Sequence, residues 1–207
     1  MRKLVYYVAI TLDGRIAGPG GEYDFFPTGD ERQSEAYASR VNTLYPETLP
    51  TAVRATIGLA DAPNRHFDTV LMGGGTYRPA LDAGITSPYA HLRQYVVSAT
   101  LAPADVDPAV TVVPGDPVDL VRTLKAEEGP GRDIWLCGGG RLAGALLPEI
   151  DELLVKSYPV IVGAGVPAFD GAFAPTVFEV AERTAFPNGV TLTRLTRRPA
   201  DGPPSRP

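Results

Sequence analysis

Cysteine is nearly absent: Cys137 is the one thiol in 207 residues. A single thiol excludes an intrachain disulfide and any zinc site built on several cysteines. Histidine is scarce as well, with two residues. His66 precedes a strand-like run and His91 lies in a polar loop, so both read as surface residues rather than catalytic bases, and no metal is expected. No run of lysine and arginine occurs, and the net charge is -5. Proteins that bind the phosphate backbone usually present a basic face, so no nucleic-acid partner is expected. No apolar run approaches the roughly 18 residues of a membrane span, so no membrane partner is expected either. The amino-terminus, Met1-Arg2-Lys3-Leu4-Val5-Tyr6-Tyr7, enters a strand-like segment directly. It lacks the h-region and small-residue cleavage site of a signal peptide. Together these absences point to a cytoplasmic protein.

Apolar residues make up 44% of the chain, enough for a sizeable core, and the length suits one large domain or two small ones. Residues 4–12 form a near-continuous apolar and β-branched run, the pattern of a strand buried on both faces. Asp13-Gly14 breaks it, and Gly18-Pro19-Gly20-Gly21 follows as a loop. Thr28-Gly29-Asp30-Glu31 supplies helix-start chemistry for a helix ending at Leu44. Residues 51–60 fit either a short helix or a loop. Strands are expected at 68–72, 94–98, 110–113, 133–137 and 152–157. Helical patterns are expected at 76–81, at 117–127 after Asp116, and at 140–147, with a Gly/Pro loop at 158–169. Strands alternating with helices give a mostly parallel sheet. Two β-rich runs, 178–186 and 190–197, flank Pro187-Asn188-Gly189, and an Asn-Gly pair in that setting signals a hairpin. The reading is one α/β domain over residues 1–198, with a mixed, mostly parallel central sheet and a C-terminal antiparallel hairpin. Residues 199–207 are Pro-rich and polar and read as a disordered tail.

Leu136-Cys137-Gly138-Gly139-Gly140-Arg141-Leu142 carries the most information. An apolar strand meets three glycines, and a helical pattern follows. Glycines allow close approach of backbone to ligand, and the N–H groups at such a turn attract phosphate. The stretch fits a nucleotide phosphate site, or equally a glycine-rich turn without a ligand. Two other strand ends are glycine-centred, Asp13-Gly14 and Gly73-Gly74-Gly75-Thr76. Open α/β sheets bind ligands beyond the carboxyl ends of their strands, so three such ends suggest one extended ligand crossing the sheet.

Four segments in order carry a family resemblance. They are Ala9-Ile10-Thr11-Leu12-Asp13-Gly14-Arg15-Ile16-Ala17, Leu71-Met72-Gly73-Gly74-Gly75-Thr76-Tyr77, the strand end Val96-Val97-Ser98, and the stretch from Leu136 to Leu142. The set resembles the dihydrofolate reductase fold. It is more similar to the reductase domain of the riboflavin-biosynthesis deaminase–reductase, and residues 160–169 strengthen that side of the match. The resemblance implies a three-layer dihydrofolate reductase-like fold and NADPH along the strand ends, with NADH as the alternative. It implies that Ala9 and Ile16 line the nicotinamide site through backbone groups. Gly73 and Thr76 would meet the pyrophosphate, and Ser98 would lie near the adenosine ribose. Gly138, Gly139, Gly140, Arg141 and Leu142 would wrap the phosphates and the nicotinamide side, with a cis bond between Gly138 and Gly139. Many relatives carry an arginine for the 2′-phosphate where this chain has Gly74; Arg78 is the candidate substitute.

On the substrate side the resemblance points to Lys156, read either as a contact for a substrate phosphate or as a solvated strand lysine. Asp24, beside Tyr23, Phe25 and Phe26, is the carboxylate best placed for a pocket, while Asp30 and Glu31 read as helix-capping residues. Cys137 reads as a small buried hydrophobe. The implied reaction is hydride transfer to C1′ of a ribosylamino pyrimidine opened to an imine, of the 5-amino-6-(5-phosphoribosylamino)uracil reductase type. The residues hold no H-x-E with a paired C-x-x-C, so the zinc deaminase chemistry is not expected of them. A dihydrofolate or other pteridine reductase is an alternative that needs a buried carboxylate on the first helix. A nucleotide-binding module without turnover is another. Related reductase domains commonly pair, so a homodimer is expected, with the 178–197 hairpin as the edge to be covered.

Overall fold

The apolar run near the start of the chain becomes strand β1 (Leu4–Ile10), buried on both faces through Val8. In the computed structural model, which describes residues 1–129 and 131–198, β2 (Arg15–Ala17), α1 (Glu31–Leu44), α2 (Thr51–Thr56), β3 (Phe67–Gly73) and α3 (Gly74–Asp82) follow. Then come β4 (Arg93–Val97), β5 (Val110–Val113), α4 (Pro117–Ala126), β6 (Asp133–Gly138) and α5 (Gly140–Ala145). The last elements are β7 (Glu152–Ser157), β8 (Val166–Pro167), β9 (Phe178–Ala185) and β10 (Thr191–Arg197). Residues 199–207, read from sequence as a tail, lie outside the described residues.

The main sheet has eight strands in the order β5-β4-β3-β6-β1-β7-β10-β9. Pairing is parallel from β5 to β7 and antiparallel from β7 through β10 to β9. Three layers result. On one face Leu4, Tyr6, Leu71 and Leu136 pack against α4 and α5 through Val121, Leu124, Leu142 and Ala143. On the other, Val5, Tyr7, Val70 and Trp135 pack with Val41 of α1 and Tyr77 of α3. This is the α/β fold expected from the sequence. Asp30 caps α1 through a complete capping box with Gln33, and Asp116 caps α4 by accepting from the Val118 N–H. The undecided 51–60 stretch resolves into α2 and a turn. The 158–169 loop differs from expectation, because it contains β8, which pairs antiparallel with β2 in a second, two-stranded sheet.

Among the described residues no helix is long and apolar enough to cross a membrane, and no group of three or more His, Cys, Asp and Glu is arranged to hold a metal ion. A cavity of about 270 Å³ opens at the amino-terminal edge of the sheet, under α1, lined in part by Tyr45, His66, Glu182 and Arg194. Its charges partly neutralise one another, since Arg194 forks onto Glu152 at 2.8 and 3.0 Å.

Close backbone contacts hold the short helix α5 to β8 and the chain that follows it. A Cβ on Gly140 would lie 2.1 Å from the Pro167 carbonyl oxygen, and one on Gly144 2.2 Å from that of Asp170. The Asp170 N–H donates to the Gly140 carbonyl at 2.9 Å. Gly144→Ala therefore forces backbone apart in a filled region. It is expected to cost about 1–3 kcal/mol, seen as a lower urea midpoint at unchanged slope; a midpoint equal to wild type would refute the close approach.

Candidate functional site

Parallel pairing brings the carboxyl ends of β1, β3, β4 and β6 to one edge, and the glycine-rich turns meet there. A Cβ added to Gly139 would sit 3.3 Å from the Thr76 hydroxyl and 3.9 Å from the Gly73 Cα. One added to Gly74 would sit 3.2 Å from the Ser98 hydroxyl. Gly73, Thr76, Ser98, Gly138 and Gly139, far apart in the chain, are thus neighbours. The cis Gly138–Gly139 bond implied by the resemblance is not there: among the described residues no peptide bond is cis. The chain instead turns through two positive φ angles, +149° at Gly138 and +101° at Gly139, which glycine adopts without a steric cost.

The other residues expected around the cofactor divide by role. Gly140 is buried and spends its missing side chain on the contact with Pro167 rather than on an open face. Leu142 is buried in the core, so only its backbone is free to face a ligand. Arg141 stands in solvent beside the turn, 3.7 Å from Asp170. Ser98 accepts from the N–H groups of Thr100 and Leu101 at 3.3 and 3.1 Å, which fixes the turn after β4. Ala9 is the penultimate residue of β1 and Ile16 lies in β2, both partly buried. Between them Asp13 holds a loop: its carboxylate accepts from the Thr11 hydroxyl at 2.6 Å and from the N–H groups of Val162 and Gly163 at 3.3 and 2.8 Å. Those bonds keep its carboxyl below the usual range. A Cβ on Gly165 would lie 2.2 Å from the Ala17 carbonyl oxygen. Residues 160–169 are therefore the partner of the Asp13-Gly14 turn, which explains why those two motifs occur together.

This edge suits a dinucleotide. The start of α3 provides unpaired first-turn N–H groups, and the Gly139 turn leaves a cradle that a side chain would fill. Gly74 is pressed against Ser98. Arg78 is exposed and pairs with Asp82 at 3.0 Å, so the helix start carries no cation at its first residue.

The face of the sheet under α1 is aromatic. Lys156 of β7 lies opposite Ala9 of β1, and its ammonium sits 4.3 Å from the centre of the Tyr7 ring. It is partly buried, not a solvated strand lysine, and burial pushes its pKa down to about 8. Beyond it the Tyr158 and Tyr37 hydroxyls are 3.0 Å apart. Phe26 packs on Tyr158 at 4.7 Å between ring centres, and Phe186 packs on Tyr37 at 5.0 Å. Cys137 is partly buried on this face, and burial pushes its thiol up to about 12, which leaves it inert.

Several expectations need correction. Asp24 is exposed; its neighbours Phe25 and Phe26 turn inward instead. Asp30 caps α1 as expected, Glu31 is exposed in its first turn, and Val41 is the one buried residue of that helix. No buried carboxylate lies on the first helix. His91 is not a surface residue: its ring bonds the Thr51 hydroxyl and the Glu47 carbonyl, each at 2.9 Å, and burial lowers its pKa. Tyr7, Tyr37 and Tyr158 were not singled out from sequence, and Asp13 was named only as part of the turn after the first strand. Strand alternation places Tyr7 and Lys156 on one face, yet a tyrosine in an apolar run reads as core.

The sequence profile of the RibD C-terminal domain matches residues 2–192. The chain belongs to this family. The uncharacterized protein YwjB of Bacillus subtilis is 27% identical over 170 residues, covering 81% of this chain and 83% of that one. A candidate riboflavin biosynthesis protein from Shewanella sp. PV-4 superposes with a TM-score of 0.66 at 23% identity, covering 95% and 99% of the two chains. A diaminohydroxyphosphoribosylaminopyrimidine deaminase/5-amino-6-(5-phosphoribosylamino)uracil reductase from Thermotoga maritima gives 0.59 at 15% identity. The RibD-family chain covers 57% of that protein's length. At these identities the structural likenesses establish the fold.

The Gly139 turn generates a binding test. In Gly139→Val a β-branched side chain would be forced to positive φ and against Thr76. The affinity for NADPH and NADH, followed by the fluorescence of Trp135 in β6, is expected to fall at least about tenfold. Wild-type affinity in a folded variant would remove this turn from the site.

Proposed function

We propose that the chain is a reductase that uses a reduced nicotinamide dinucleotide and acts on a ribosylamino pyrimidine phosphate. The reaction is of the 5-amino-6-(5-phosphoribosylamino)uracil reductase type, with hydride delivered to C1′ of the opened ribosylamino group. The observation that carries this reading is the edge where Gly73, Thr76, Ser98 and Gly139 converge beside Ala9, with Lys156 on the adjoining strand. Family membership and the riboflavin-related structural neighbours support it. The exposed position of Asp24 and the absence of a buried carboxylate on α1 weigh against a pteridine reductase.

When bound, the dinucleotide supplies a hydride to an electron-poor carbon. The protein supplies the rest. Backbone groups of Ala9 and Ile16 hold the nicotinamide end, while Gly73, Thr76, Gly138 and Gly139, with Gly140 and Leu142 through their backbone and Arg141 at the rim, hold the phosphates. Ser98 lies at the ribose end. Phe26, Tyr37 and Tyr158 form an apolar wall that excludes water from the reacting atoms. Lys156 forms the floor on the substrate side, and Asp24 sits on the loop that carries the wall. The small Gly74 leaves the 2′-phosphate without its usual partner, so both NADPH and NADH are accepted, with NADPH the physiological cofactor. The unpaired edge of β9, where Val180 is 56% exposed, is covered by a second copy in a homodimer.

Two measurements check this. Loss of the reduced nicotinamide's near-ultraviolet absorbance is expected with the ribosylamino pyrimidine phosphate and not with dihydrofolate; efficient dihydrofolate turnover that collapses in Asp24→Asn would replace this reading with the pteridine one. Light scattering at micromolar concentration is expected to give twice the chain mass, and a monomer mass would refute the paired edge.

A further inference from the structure

The chain has three lysines, Lys3, Lys125 and Lys156. Two are held by carboxylates: Lys3 bonds Glu152, and Lys125 lies 2.7 Å from Asp151 and 3.7 Å from Glu149. Lys156 alone has no carboxylate partner among the described residues, although it is the one on the site's own strand. Its ammonium rests on the Tyr7 ring, and the residue is the register partner of Ala9. A desolvated lysine that were purely structural would be paired, because an unpaired buried charge is costly. A lysine serving a substrate phosphate belongs at the rim, beside other cations. This one lies on β7 against the Tyr7 ring, opposite Ala9, at the strand end where the reductase reading puts the nicotinamide.

We propose that Lys156 is the proton donor of the reduction. The inference rests on the reductase reading above. As the substrate C=N carbon accepts hydride from the reduced nicotinamide, the π pair moves onto nitrogen. That nitrogen takes a proton from Nζ of Lys156, and the neutral amine is recharged from solvent. A C=O substrate would be served in the same way at oxygen. The titratable groups facing the ammonium are Tyr7 on β1, Cys137 on β6, and Tyr158 and Tyr37 beyond it; its register partner on β10 is the apolar Leu192. None is an acid that would hold the lysine charged, and burial sets its pKa at about 8, near the operating range of a general acid.

The first test needs neither cofactor nor substrate. Reductive methylation with 13C-formaldehyde labels the three lysines, and the signal lost in Lys156→Met is titrated by NMR. It is expected to titrate near pH 8; titration near the ordinary lysine value of about 10.4 overturns the proposal. The second test uses 5-amino-6-(5-phosphoribosylamino)uracil with saturating NADPH. Wild-type kcat is expected to fall above pH 8 as the ammonium is lost. Lys156→Met is expected to lose roughly 10²–10⁴-fold in kcat with little change in KM and to lose that limb of the profile. Methylamine is expected to restore part of the rate, and Lys156→Arg is not, because a guanidinium does not release its proton. A methionine variant that keeps kcat and raises KM makes Lys156 a binding residue and overturns the proposal. A wild type that binds NADPH and reduces no substrate overturns the reductase reading itself, which the NMR titration distinguishes from a failure at Lys156.

Discussion

Everything at the site depends on β1 being bonded in parallel on both sides. Its register with β6 pairs Tyr6 with Leu136, and its register with β7 pairs Ala9 with Lys156. A parallel ladder sends every strand out at the same edge. Three turns from distant parts of the chain can then share one ligand, and a lysine from a fourth strand can lie beside them. An antiparallel partner on either side of β1 would have sent its turn to the opposite edge. The antiparallel strands β10 and β9 are confined to the outside of the sheet, where they extend it without interrupting the converging ends.

The glycines at this edge do different work. Gly138 and Gly139 supply a backbone turn that a side chain would strain, whereas Gly140 and Gly144 supply thinness, so that a neighbouring segment can lie against the helix. A single triple-glycine motif therefore spans two structural roles, a turn at the sheet edge and a close backbone contact with the segment at β8. On the opposite face the chemistry is hydrophobic and aromatic, with one cation set into it. Low polarity there strengthens whatever electrostatic contact a bound molecule makes with that cation.

Much of this was legible in the sequence, for identifiable reasons. The buried strands announced themselves as apolar runs, α1 and α4 by the capping residues Asp30 and Asp116, and the hairpin by Asn188-Gly189. What was not legible depends on contacts distant in the chain. The β2–β8 pair has strands of three and two residues, too short for any periodic pattern. The surroundings of Lys156 come from β1, β6, β7 and α1 together, so no local window separates it from a surface lysine. Asp24 looked well placed because its aromatic neighbours do enter the wall, but adjacent loop residues need not point the same way. His91 looked exposed because its polar surroundings are its hydrogen-bond partners, Thr51 and the Glu47 backbone.

The closest approach between α5 and the segment from Pro167 to Asp170 is made by backbone on both sides. Such a joint recognises shape and not side-chain identity. The helix half of it has no freedom to mutate at Gly140 or Gly144, while the opposing positions Pro167 and Asp170 contribute only main-chain atoms at the closest approach. The two halves of one interface therefore differ in evolvability. The half attached to the glycine turn is constrained at Gly140 and Gly144, whereas the side chains of Pro167 and Asp170 stand outside the closest approach and can change without moving the turn.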